Sequence, residues 1–285
     1  MEAATQAAVS RKRRPNRGRI GAYLVVILFL LWVLIPIYVV FSNSLKSSLI
    51  VFSDPPKWIF SPTLAHYRNV LGRLNFENYM VNSSIVAVAS MSLALTLGTP
   101  AAYALARLRM RGRELWALLI LFSRMVPAVV LVVPMFVIFS HLHLINSYRA
   151  LILTHTTFEL PLVIWMMRSF FEDLPVELEE AARVDGASRL GAFLRVALPL
   201  TAPGLTATAI LCLLFSWNEF LFALVLSGPD TRTMPVGVSS FIGTVSIDWG
   251  GSSAAAVLGM IPIFVLGLAV QRFLVRGLTM GAVKG

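Results

Sequence analysis

The sequence predicts an all-α membrane protein that crosses the bilayer six times, and three observations carry the prediction. The 285 residues are 57% hydrophobic and only 13% charged, against about 45–50% and about 25% in soluble chains. Six long apolar segments follow one another, separated by polar stretches. Of the 24 Lys and Arg residues, 17 lie on the side of the termini and six on the other, with Arg124 inside a span. Such a composition excludes a disordered chain and lies outside the range of soluble enzymes. The net charge of +10 fits the cytoplasmic ends of membrane helices and requires no nucleic acid. One cysteine, Cys212, allows no internal disulfide and no cysteine-based metal site.

The first element is a basic tail, residues 1–19, in which six Lys and Arg side chains are opposed only by Glu2. An uncharged stretch from Ile20 to Asn43 follows. At about 1.5 Å per residue it exceeds the roughly 30 Å hydrocarbon thickness. It is also longer than the about 7–15-residue core of a signal peptide, and so predicts an uncleaved first span, residues 20–43. Residues 20–285 form one transmembrane domain, with further spans expected at about 82–106, 115–139, 151–167, 202–226 and 254–273. Six spans put both termini on one side, and the positive residues make that side the cytoplasm. The external loop from Asn43 to Val81 contains Asp54-Pro55-Pro56-Lys57-Trp58 and Ser61-Pro62, and reads as irregular chain on the outer surface. The last external loop, Ser227 to Ser253, is rich in Gly, Ser and Thr.

The cytoplasmic loop 168–199 has a different character, because its charges are mixed. Asp173-Leu174-Pro175 opens a helix, and Glu177, Glu179 and Glu180 occupy its first turns, where the helix dipole favours acids. Gly186 turns the chain, and Leu190, Phe193 and Leu194 resume an apolar stripe until Pro199. A helix lying on lipid would favour Lys and Arg here, so this helix pair is expected to meet a protein partner.

Within this loop, Glu180-Ala181-Ala182, then Gly186 after three residues, then Leu198-Pro199 match six positions of one spaced pattern. It resembles the EAA signature of bacterial ABC importer permeases, the binding-protein-dependent transport components of the inner membrane, with Val196 replacing the usual Ile. From ordinary residue usage a chance match is on the order of one in ten thousand. Asn82-Ser83, the run from Ala101 to Arg107, Trp217-Asn218-Glu219-Phe220 and the ending Gly281-Ala282-Val283-Lys284-Gly285 look like the carbohydrate branch, specifically the smaller maltose-type permease subunit.

The resemblance implies the type I ABC importer permease fold, with a cytoplasmic coupling helix pair that docks on an ATPase. It assigns the coupling contacts to Glu180, Ala181, Ala182, Asp185, Gly186, Leu198 and Pro199, with Glu180 and Asp185 either bonding to the ATPase or capping the glycine turn. It also implies a second permease chain in a heterodimer, two ATPase domains, an extracytoplasmic sugar-binding protein, and ATP and Mg bound by the ATPases. Gly281 and Lys284 are implied candidates for a further ATPase contact. No Gly-x-x-x-x-Gly-Lys-Ser/Thr phosphate loop occurs in the chain, so it is expected to hydrolyse nothing and to bind no cofactor itself.

The candidates for the substrate path are the polar groups expected inside spans. Arg124 is either a path residue or the structural partner of a helix-end acid or carbonyl. Glu219 either lines the path or bonds between helices, and Trp217 and Asn218, as its sequence neighbours, cannot point the same way. An aromatic face, an amide and a carboxylate are together what a sugar site needs. His141, His143 and His155 lack an accompanying acid-rich or zinc-protease motif, and no metal site is expected. A permease for a non-sugar solute and a secondary transporter are the alternatives, though no internal repeat supports the latter.

Overall fold

The computed structural model describes residues 17–73, 76–243 and 247–281. Among them the chain is helical with no strand beyond one isolated bridge between Ile242 and Ile247. Four helices are long and apolar enough to cross a membrane, and two bent pairs complete six if each is one span.

Helix α1, Arg17–Leu45, runs unbroken through Pro36. Its span Gly21–Leu45 has a mean hydropathy of 3.1 in its most apolar window, none of which is buried within the chain. A helix apolar all round and uncovered by its own fold needs lipid or another membrane helix as its solvent. The loop after α1 is less irregular than its prolines suggest, because it contains α2, Ala65–Arg73. Ser44 and Tyr67 hydroxyls pair at 2.8 Å, and a ring nitrogen of His66 stands 2.9 Å from the Lys46 carbonyl, fastening α2 to the end of α1.

Helix α3, Phe76–Arg107, begins before the expected span, with Glu77 in its first turn. Hydropathy misses such polar turns above the membrane. The third span is not straight: α4, Arg113–Ser123, and α5, Ala128–His141, meet at 89°. Pro127 stands at the N-cap of α5, where its missing N–H and fixed φ end one helix and start the next. Helix α6, Tyr148–Glu172, is capped by Ser147, which accepts from the Ala150 N–H. It packs along α3 at the centre of the molecule. Gly98 permits the approach, since a β-carbon there would lie 2.6 Å from Val163 Cγ1.

Helix α7, Val176–Val184, and α8, Arg189–Leu200, form the helix pair of the loop 168–199. A π-turn at Phe193–Ala197 precedes Pro199 in α8, and a 74° bend leads into α9, Ala202–Trp217. The fifth span also breaks, at residues 218–220, before α10, Leu221–Leu226. The loop 227–253 contains α11, Met234–Ser239. The chain then returns as α12, Trp249–Gly281, longer at both ends than the apolar run alone suggests.

Asn82 ties the loop 227–253 to α3 and α6. Asn82 donates to the carbonyls of Asp230 (3.1 Å) and Arg232 (2.9 Å) and accepts from the Tyr148 hydroxyl (2.7 Å). The neighbouring Ser83 hydroxyl accepts from the Met234 N–H at 2.8 Å.

Candidate functional site

The α7–α8 pair is built by its caps. Pro175 is the N-cap of α7, and Glu177 and Glu179 fill the first turn. At the other end Gly186 has φ +89°. Its N–H donates to the Arg183 carbonyl and the Ala187 N–H to the Ala182 carbonyl, at 3.1 and 3.0 Å. These two bonds are a Schellman closure, which a residue with positive φ makes at least cost when it is glycine. A β-carbon on Gly186 would meet nothing within 4 Å, so the requirement is conformational and not steric. Ser188 then caps α8 by accepting from the Gly191 N–H.

Glu180, Ala181 and Asp185 are exposed, Ala182 is half-buried, and Gly186 lies at the solvent-facing turn. Leu198 is half-buried and Pro199 exposed. Glu180 and Asp185 make no side-chain hydrogen bond among the described residues, so the glycine turn is closed by backbone groups alone. Around them Val184 is 88% exposed and Leu190 65%. Arg183 and Arg189 are exposed as well, so an outer surface of mixed charge with apolar side chains is left open.

Glu179 turns the opposite way, and sequence reasoning did not separate it from its acidic neighbours. It is 6% exposed. Its Oε1 accepts from Arg107 Nε at 2.8 Å, and its Oε2 accepts from the Tyr103 hydroxyl. The Arg107 guanidinium also donates to the Leu174 carbonyl just ahead of α7. Tyr103 and Arg107 lie four apart on α3 and share a face. That spacing was the only available signal, because their partner is 72 and 76 residues away. A second clamp joins α4 to α6: Arg168 donates to both oxygens of Glu114, at 2.8 and 2.9 Å, and to Glu172 at 2.7 Å. The Arg168 hydrogen bond holds the Glu114 carboxyl below its ordinary value.

The path candidates divide. Trp217 is buried and donates from Nε1 to the Gly259 carbonyl at 3.2 Å, a packing contact on α12. Asn218 donates to the Leu214 carbonyl at 2.8 Å, and both line an apolar hollow against α11 and α12. Arg124 and Glu219 instead line one cavity of about 170 Å³. Arg124 has neither of its expected structural partners among the described residues; its guanidinium lies 5.0 Å from the centroid of Phe215. Glu219 accepts from the Phe222 and Ala223 N–H groups at 2.9 and 3.0 Å, capping α10 across the helix break.

The same cavity contains two residues that sequence reasoning did not assign to the path, His155 and Glu159. Both are 3% exposed. Ser216 stands 2.6 Å from His155 Nδ1, and Ser90 donates to Glu159 Oε1 at 3.2 Å. His155 Nε2 is 3.5 Å from Glu219 Oε2 without hydrogen-bond geometry, and Glu159 Oε2 has no partner. Gly281 ends α12, and Lys284 lies outside the described residues.

A family model described as the binding-protein-dependent transport system inner membrane component matches residues 94–280. The chain is 40% identical over 254 residues to the sulfoquinovosyl glycerol transport system permease protein SmoH of Agrobacterium fabrum, covering 88% of this chain and 89% of that one. It is 37% identical over 247 residues to the trehalose/maltose transport system permease protein MalG of Thermococcus litoralis, covering 83% and 89%. Among solved structures, a chain of a bacterial ABC transporter involved in the import of the acidic polysaccharide alginate superposes with a TM-score of 0.74. That match has 25% identity and covers 91% of this chain and 98% of that chain.

Proposed function

The chain belongs to the inner membrane components of binding-protein-dependent transport systems, and on that premise we propose that it is the permease subunit of an ATP-driven importer of a carbohydrate. It forms part of the translocation path and converts closure of the ATPases into alternating access. The observation that carries this reading is the cytoplasmic pair itself. Its outer surface offers Glu180, Asp185, Val184 and Leu190 to a partner, while its inner surface is fixed to α3 through Glu179 and Arg107. A displacement of the docked pair is therefore passed to a membrane-crossing helix by an ion pair and two further hydrogen bonds.

Two ATPase domains supply ATP and Mg, and this chain, a non-catalytic subunit, holds neither. Coupling contacts fall to Glu180, Ala181, Ala182, Asp185, Gly186, Leu198 and Pro199, with Gly281 and Lys284 adding a C-terminal contact. A second, similar permease chain completes the path as a heterodimer, an extracytoplasmic binding protein delivers the sugar, and both termini face the cytoplasm. The sugar assignment is supported by the transport systems named for its relatives. The experiment is uptake by proteoliposomes containing the complete complex. ATP- and binding-protein-dependent entry of a sugar is the expected result; sugar entry driven by an ion gradient without ATPase subunits would refute it.

A further inference from the structure

Two helix breaks converge on the small cavity. Arg124 and Ala128 flank the 89° break between α4 and α5, and Ser216, Glu219 and Phe222 flank the break between α9 and α10. Broken helices at membrane depth persist only where protein covers them or where they line a polar cavity. The lining combines Arg124, His155, Glu159 and Glu219 with the rings of Phe158, Phe215 and Phe222. Two of its polar atoms, His155 Nε2 and Glu159 Oε2, are buried with no hydrogen-bond partner. Buried polar atoms left in this state destabilise the fold unless something fills the site.

The chemistry of the lining selects among fillers. A free cation is opposed by the Arg124 guanidinium, and an anion by the Glu219 carboxylate. A lipid chain would leave every polar group unsatisfied. A neutral ring bearing several hydroxyls meets all of them: it bonds to the carboxyl oxygens, accepts from the guanidinium, and lays its C–H face on the phenylalanines. In the tautomer where the Ser216 hydroxyl, 2.6 Å away, donates to His155 Nδ1, Nε2 carries the proton and offers one more donor beside Glu159. The volume of about 170 Å³ suits a single ring, well below the roughly 300–1,000 Å³ of sites for larger ligands.

We propose that this cavity is a way station for one pyranose ring of the transported sugar, with Glu159 and His155 as residues that select its hydroxyls. The inference rests on the carbohydrate reading above. Its test uses the complete complex in proteoliposomes and radiolabelled trehalose, maltose and N,N′-diacetylchitobiose, each compared with singly deoxygenated analogues. For a sugar that enters, the wild type is expected to prefer the parent over at least one analogue. Glu159→Gln is expected to reduce that preference about tenfold, the scale of a single buried hydrogen bond. His155→Gln is expected to do the same for a different hydroxyl. The binding protein's own preference is common to all variants, and a folding defect slows parent and analogue alike, so neither moves the ratio. Ratios unchanged in both variants overturn the site. Uptake of methionine and of none of the sugars overturns the carbohydrate reading beneath it.

Discussion

Replacing Glu179 with alanine strands two groups at once. Arg107, whose side chain is 13% exposed, loses its ion-pair partner, and Tyr103 loses the acceptor for its hydroxyl. Breaking a buried pair from one side costs about 3–5 kcal/mol. The Arg107 bond to the Leu174 carbonyl survives and keeps the loss near the lower end, about 3 kcal/mol. At 1.4 kcal/mol per factor of ten, the contact between α7 and α3 then opens about a hundredfold more often. Hydrogen–deuterium exchange of the α7 amides, measured on the complete complex in nanodiscs, reads this directly. Glu177→Ala is the control: that side chain is exposed in the same turn and loses only a dipole interaction of about 0.3–1 kcal/mol. Equal exchange in the two variants would refute the strut.

Other consequences are more local. Gly98→Ala forces a β-carbon to within 2.6 Å of Val163; a loss of about 1–3 kcal/mol is expected, seen as a lower melting temperature of the complex and relieved by adding Val163→Ala. Asn82→Leu leaves two carbonyls and the Tyr148 hydroxyl without their partner, and limited proteolysis of residues 227–233 should accelerate at least about tenfold. The depressed Glu114 carboxyl stabilises the α4–α6 clamp at neutral pH. Its contribution is present above the ordinary carboxylate value and disappears as pH falls through the lowered one. Cleavage at Arg113 should therefore rise with acidity in the wild type and be insensitive to it in Glu114→Gln.

The legible parts of this molecule were those written in local pattern. Hydropathy is a property of contiguous sequence, and so is the spacing from Glu180 to Pro199 that carried the family resemblance. Gly186 was identifiable because a positive φ at a helix end has few alternatives to glycine. The breaks at 124–127 and 218–220 were not legible, since hydropathy averages over a window and is blind to the direction of the helix axis. Pro127 was visible, but a proline in a membrane helix often gives only a kink. Glu219 looked like a charge within a span, and its role as a cap appears only with the break it bridges. The cavity was hidden for another reason: Ser90, Glu159 and Ser216 are unremarkable one at a time. They meet across sequence separations of 69 and 126 residues.

The central claim is that the α7–α8 pair couples an ATPase to the spans, and Gly186→Asp tests it most directly. A β-carbon at this position has space, but the positive φ strains any residue other than glycine. That effect is local and leaves membrane insertion intact, while the altered turn and added charge disturb the docked surface. ATP-driven sugar uptake by the reconstituted complex is expected to be lost, with the variant present in the membrane at wild-type levels. Uptake at the wild-type rate, with ATPase docking unchanged, would contradict the account.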